Sequence, residues 1–77
     1  MPRGLNNWTY NDVTRFLKEY NFKLNHTRGS HFYYVGVYEG RTRHVCVPYH
    51  GSGAIKPRTV KGIILQSGIP EKVWTKR

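Results

Sequence analysis

Apolar positions first recur with a helical period. Val13, Phe16, Leu17 and Tyr20 fall at i, i+3, i+4 and i+7, one face of an α-helix, while Asn11, Arg15, Lys18 and Glu19 take the other side. Thr9 is a good N-cap, and Asp12 stands three residues on, where a capping box places an acid or amide. Trp8 and Val13 occupy the two positions of a hydrophobic staple. The spacing predicts a helix over about 10–20, with Asn21 as a left-handed residue at its C-terminal end and residues 1–7 as a loose leader.

The period then changes to two. Phe22 to His26 alternates apolar and polar and predicts a strand, followed by a turn at Thr27-Arg28-Gly29-Ser30. His31 to Tyr38 is aromatic and β-branched and predicts the central strand. Glu39-Gly40 with Arg41 predicts a hairpin loop, and Thr42 to Val47 a third strand stopped by Pro48. Tyr33, Val35 and Val37 share the face of His31, and Phe32, Tyr34, Gly36 and Tyr38 the opposite one. Both faces are apolar, so the pattern does not say which one the helices cover.

Residues 49–54 read as a flexible connection; the second glycine and the Lys-Ser/Thr pair of a Walker loop are missing. A second helix is predicted from about Pro57, with Val60, Ile63 and Ile64 as its apolar stripe and Gly68 as its stop. Gly62 lies inside that helix, where packing, or failing that close approach of a ligand, would explain it. Residues 70–74 predict one short turn that tucks Trp74 against the core. The expectation is one α+β domain over residues 1–77, with its core at about 9–74. Its order is α-β-β-β-α, a three-stranded antiparallel sheet with two helices on one face.

Charge narrows the function. Thirteen Lys and Arg stand against four Asp and Glu, a net charge of +9, and the basic residues are interleaved with Tyr, Phe and His. Such a surface suits a polyanion, with nucleic acid favoured over an acidic protein. The carboxylates Asp12, Glu19, Glu39 and Glu71 are too few and scattered for a two-metal nuclease or a paired-carboxylate hydrolase. A single cysteine, Cys46, permits no internal disulfide and reads as a small buried hydrophobe in a reducing compartment. No apolar run nears the roughly 18 residues of a membrane span, and the N-terminus has no secretory apolar core. The expected location is the cytoplasm, with no membrane partner.

Four histidines, His26, His31, His44 and His50, supply the remaining chemistry. Histidine exchanges protons near neutral pH. RNA brings its own nucleophile, the 2′-hydroxyl, so its cleavage needs only a base, an acid and cations. His31 follows the Gly29-Ser30 turn, with Arg28 beside it as a phosphate ligand. Lys56, Arg58 and Lys61 surround the start of the second helix, where free N–H groups also suit phosphate. His50 borders the glycine-containing connection. His44, Cys46 and His50 lack the spacing of structural zinc, and neither a metal nor another cofactor is expected.

Several segments together resemble the HicA-type toxins, small mRNA interferases of type II toxin–antitoxin systems. They are Asn21-Phe22 after the first helix, where the family has Gly-Phe; Arg28-Gly29-Ser30-His31, like its Gly-Ser-His segment; and Val47-Pro48-Tyr49-His50, like its Val-Pro-x-His element. The run from Thr59 to Ile69 resembles its closing helix. Pro57-Arg58 before Thr59 departs from the family's glycine, and Asn21 from its first glycine. The resemblance implies a fold like that of double-stranded-RNA-binding domains, an mRNA substrate, a HicB-like antitoxin partner, and His31 as the catalytic histidine. The expected site is His31, with Arg28, Ser30, His50, Lys56 and Lys61 binding RNA or phosphate. His50 and Tyr33 are the candidates for a second proton-transfer group. A non-catalytic RNA-binding module, or a basic partner of one acidic protein, are the alternatives.

Overall fold

The structure, a computed structural model, describes residues 4–49 and 51–76. Its elements are α1 (Tyr10–Glu19), β1 (Lys23–Arg28), β2 (His31–Tyr38), β3 (Arg41–Pro48), α2 (Pro57–Ser67) and a short α3 (Glu71–Thr75). The strands form one antiparallel sheet in the order β1-β2-β3.

Both ends of α1 follow from its sequence. The Thr9 hydroxyl accepts from the Asp12 amide at 3.2 Å, and the Thr9 amide donates to the Asp12 carboxylate at 2.9 Å. The capping box therefore closes with aspartate in the usual glutamate position. At the far end Asn21 takes φ 67°. The Asn21 and Phe22 amides return to the Lys18 and Leu17 carbonyls at 3.0 and 2.9 Å. This is a Schellman stop, and it throws Phe22 into the core beside Leu17. The leader is not wholly loose: the Trp8 indole donates to the Gly4 carbonyl at 2.7 Å.

The sheet resolves the ambiguity of β2. Tyr34 and Gly36 are buried with Val45 and Val47 of β3, against Val13, Phe16 and Leu17 of α1 and Val60, Ile63 and Ile64 of α2. The helices thus cover the Tyr34 face, and by the strand period His31, Tyr33, Val35 and Val37 lie on the other one. Burying each of these aliphatic side chains contributes about 1.5–3 kcal/mol. Trp74 of α3 is buried and stacks on Phe16 at 3.9 Å, with Trp8 edge-on to it at 5.6 Å.

Four strand boundaries differ from the sequence expectation. β1 begins after Phe22 and continues through Thr27 and Arg28, so the loop to β2 is only Gly29-Ser30, with Arg28 paired to His31. Arg41 likewise belongs to β3, paired with Tyr38 across Glu39-Gly40. Glu39 and Gly40 both have positive φ, 54° and 76°, as a type I′ turn requires. Pro48 is the last residue of β3 rather than its stop, a position that an edge strand tolerates. The alternation expected in β1 does not produce a buried face. All of β1 is exposed, Leu24 at 49%, because the helices pack chiefly on β3 and a bulge between Leu24 and His26 shifts the register.

At Gly36 the sheet meets Phe22, the residue that follows the stop of α1. A Cβ there would sit 2.5–2.8 Å from the Phe22 ring. Gly36→Ala is therefore expected to destabilise the fold by about 1–3 kcal/mol. Urea denaturation should show this loss shrinking in a Phe22→Leu background; equal losses in both backgrounds would contradict the contact.

Candidate active site

The β1–β2 hairpin builds the site. Its two-residue loop starts with Gly29 at φ 59°, a left-handed conformation that suits glycine at the first loop position. Pairing then sets Arg28 directly opposite His31. Opposed side chains in such a pair have Cβ atoms about 5 Å apart on one face. Arg28, Ser30 and His31 are all exposed. The next pair on the same face is His26 with Tyr33, whose rings stack at 4.5 Å and 12°. A cation, an imidazole and an aromatic pair therefore follow one another along the uncovered side of the sheet.

On its other flank His31 pairs with Pro48 of β3. The Tyr49 amide extends that ladder by donating to the Ser30 carbonyl at 2.8 Å. Behind the sheet, Tyr49 and Phe32 both pack on Tyr10 with ring centroids 5.0 and 5.1 Å away. The Tyr10 hydroxyl lies 3.0 Å from that of buried Tyr34. Burial, and then the hydrogen bond to Tyr34, push the Tyr10 pKa well above the ordinary tyrosine range. This cluster fixes the end of the sheet that carries His31.

Beside His31 a groove of about 470 Å³ opens between β3 and α2. Its lining includes His31, Cys46, Pro48, Thr59, Gly62 and Gln66. Thr59, Gly62 and Gln66 recur at i, i+3 and i+7, so they present one stripe of α2 to the edge of β3. Gln66 spans the gap: its Oε1 accepts from the Cys46 amide at 2.9 Å and satisfies an otherwise open edge N–H. Cys46 is a free thiol and only half-buried, not the core residue expected. Gly62 does not serve close packing among the described residues either, because a Cβ there would meet none of their atoms within 4 Å. Glycine in a helix interior costs about 0.5–1 kcal/mol relative to alanine, and no internal contact accounts for it here.

The other expected residues divide. Lys56 is exposed at the N-cap of α2, with no side-chain hydrogen bond to that cap. Lys61 faces a different groove with Ile64, Leu65 and Glu71, so α2 does not bring it to His31. His50 lies outside the described residues. His44 is exposed on β3, across from Val35. Among the described residues no three His, Cys, Asp or Glu cluster as a metal site would need. No described helix is long and apolar enough to cross a membrane. The α2 side of the groove shows in the sequence only as Gly62 inside a helix, for which close approach of a ligand is the second explanation after packing.

One comparison with known proteins bears on this arrangement. The model of a family described as the HicA toxin of bacterial toxin–antitoxin matches residues 10–69. No curated protein and no solved structure matches the chain.

The Tyr10 environment has a consequence in alkali. The unfolded chain releases the tyrosine proton near pH 10, while the folded protein keeps it. The stability contributed by Tyr10 is therefore full below pH 10 and falls as the pH rises above it. Urea midpoints measured from pH 7 to 11 are expected to fall less steeply in Tyr10→Phe. That variant should also lose about 0.5–1.5 kcal/mol at neutral pH with the Tyr34 hydrogen bond. An unchanged alkaline slope would count against it.

Proposed function

The chain belongs to the HicA toxin family, and so is a toxin of a bacterial toxin–antitoxin system with a cognate antitoxin; from that premise we propose that it is an endoribonuclease that cleaves mRNA with His31 as a general acid or base. The observation that carries this reading is the pairing of exposed His31 with exposed Arg28 at the β1–β2 turn, on the side of the sheet that the helices leave uncovered.

The chemistry uses the substrate's own nucleophile. A ribose 2′-oxygen attacks the adjacent phosphorus, its proton leaves to a base, and the P–O5′ bond breaks as the 5′-oxygen takes a proton. His31 performs one of the two transfers, and Tyr33 or His50 is the candidate for the other. The products are a 2′,3′-cyclic phosphate and a free 5′-hydroxyl. Arg28 stabilises the charge gathering on the non-bridging oxygens, a bidentate role suited to a guanidinium. Ser30 and Lys56 add contacts to the strand. No metal ion enters this scheme. We assign the activity to the cytoplasm, where mRNA is met, and the partner to a HicB-like antitoxin that masks the His31 face.

Purified protein incubated with single-stranded RNA and EDTA is expected to yield fragments ending in cyclic phosphate. His31→Ala should reduce cleavage by about 10²–10⁴-fold, the usual contribution of general acid–base catalysis, and abolish growth arrest while circular dichroism stays unchanged. Bands that only shift without cutting would favour a non-catalytic RNA-binding module. Undiminished toxicity of a folded His31→Ala would overturn the assignment.

A further inference from the structure

We infer that the groove between β3 and α2 is a nucleobase subsite, receiving the base of a nucleotide next to the phosphate held at His31 and Arg28; this rests on the ribonuclease reading above. Three observations meet there. The groove is continuous with His31, which lines it, and its volume of about 470 Å³ lies within the range of small-molecule sites. Its wall is mostly apolar, formed by Pro48, Cys46 and the buried Ile63, as the flat face of a base requires.

The second observation is Gly62. It weakens the helix, yet a side chain there would touch nothing among the described residues. A side chain would instead project into the groove that Gly62 lines. The glycine keeps that space open, and the space faces outward beside the reactive histidine.

The third is Gln66. Its carboxamide oxygen is committed to the Cys46 amide, which as an N–H donor can only face an acceptor. That fixes the orientation of the carboxamide and leaves its NH2 group free to donate. A ligand in the groove is therefore met by the Gln66 NH2 donor, which selects an acceptor such as a pyrimidine O2 or a purine ring nitrogen. The net charge of +9 suits a phosphate-bearing ligand.

The test is an NMR titration with nucleoside 3′-monophosphates, with inorganic phosphate as control. Nucleotide is expected to shift the Gln66 side-chain NH2 and the Gly62 amide together with His31; inorganic phosphate should move His31 and Arg28 only. Gly62→Leu fills the groove with a better helix former. It should weaken nucleotide binding at least about tenfold, in line with displacing a well-seated base, and leave the phosphate response intact. If that variant is unfolded, Gly62→Ala, which gains helix propensity, should show the same loss in smaller measure. A silent Gln66, or nucleotide affinity unaltered in a folded Gly62 variant, would overturn the subsite. So would a Gly62 variant that escapes the antitoxin but binds nucleotide normally, since the groove would then be a protein socket. RNA cleavage separates the two readings. Cutting with a silent Gln66 removes the subsite alone, and nucleotide binding at Gln66 without cutting leaves the subsite standing as a binding site and removes the catalytic role.

Discussion

Strand alternation is the constraint from which the rest follows. A chain of 77 residues without a disulfide has apolar side chains enough to cover one face of a three-stranded sheet. Once Tyr34 and Gly36 of β2 go inward with Val45 and Val47 of β3, the period of two sends His31, Tyr33 and Val35 outward. A one-residue slip would reverse this and bring the imidazole under the helices. The register is held against such a slip from both ends of β2, by Gly29 at one turn and by Glu39-Gly40 at the other. The packing of the core and the exposure of the His31 imidazole are one choice.

The helices enforce that choice by uneven coverage. α1 stops at Asn21 and drops Phe22 onto Gly36, so its end is bound to the middle of β2. α2 starts where the Ile55 amide donates to the Trp8 carbonyl at 2.7 Å, returning the connection from β3 to the start of α1. Together they lie over β3 and leave β1 bare. An uncovered edge strand is a liability for a free protein. It also leaves the hairpin bearing the exposed Arg28 and His31 approachable, as the proposed ribonuclease reading requires.

Most of this fold was legible in the sequence because its signals are local. Thr9, Asp12 and Asn21 act within a few residues of themselves, and the structure shows each doing so. The errors arose where a tertiary contact decides. Leu24 read as half of an alternating pair, but whether it is buried depends on how far a helix reaches across the sheet. Thr27 and Arg28 read as turn residues, but a two-residue loop lets pairing run up to His31. The face of His31 could not be chosen from β2 alone, since both of its faces are apolar and only the stripes of α1 and α2 break the tie. For the site, the Arg28–His31 pair was visible as neighbours of a glycine turn. The groove was not, because it joins Cys46 and Pro48 to Thr59, Gly62 and Gln66, all more than ten residues further along the chain.

Gly36 and Gly62 show why a glycine cannot be interpreted without its surroundings. Both lie inside regular elements, where the missing side chain weakens local structure. At Gly36 the loss is offset by the Phe22 ring, which occupies the volume a methyl group would need. At Gly62 nothing among the described residues occupies that volume. The difference between the two is invisible to composition and to helix propensity. It shows only as the presence or absence of atoms within 4 Å. Since Gly62 lines one groove with the exposed His31 and Gly36 lies in the core, the two glycines mark the division between the part of this molecule that packs on itself and the part that, on the proposed reading, a ligand fills.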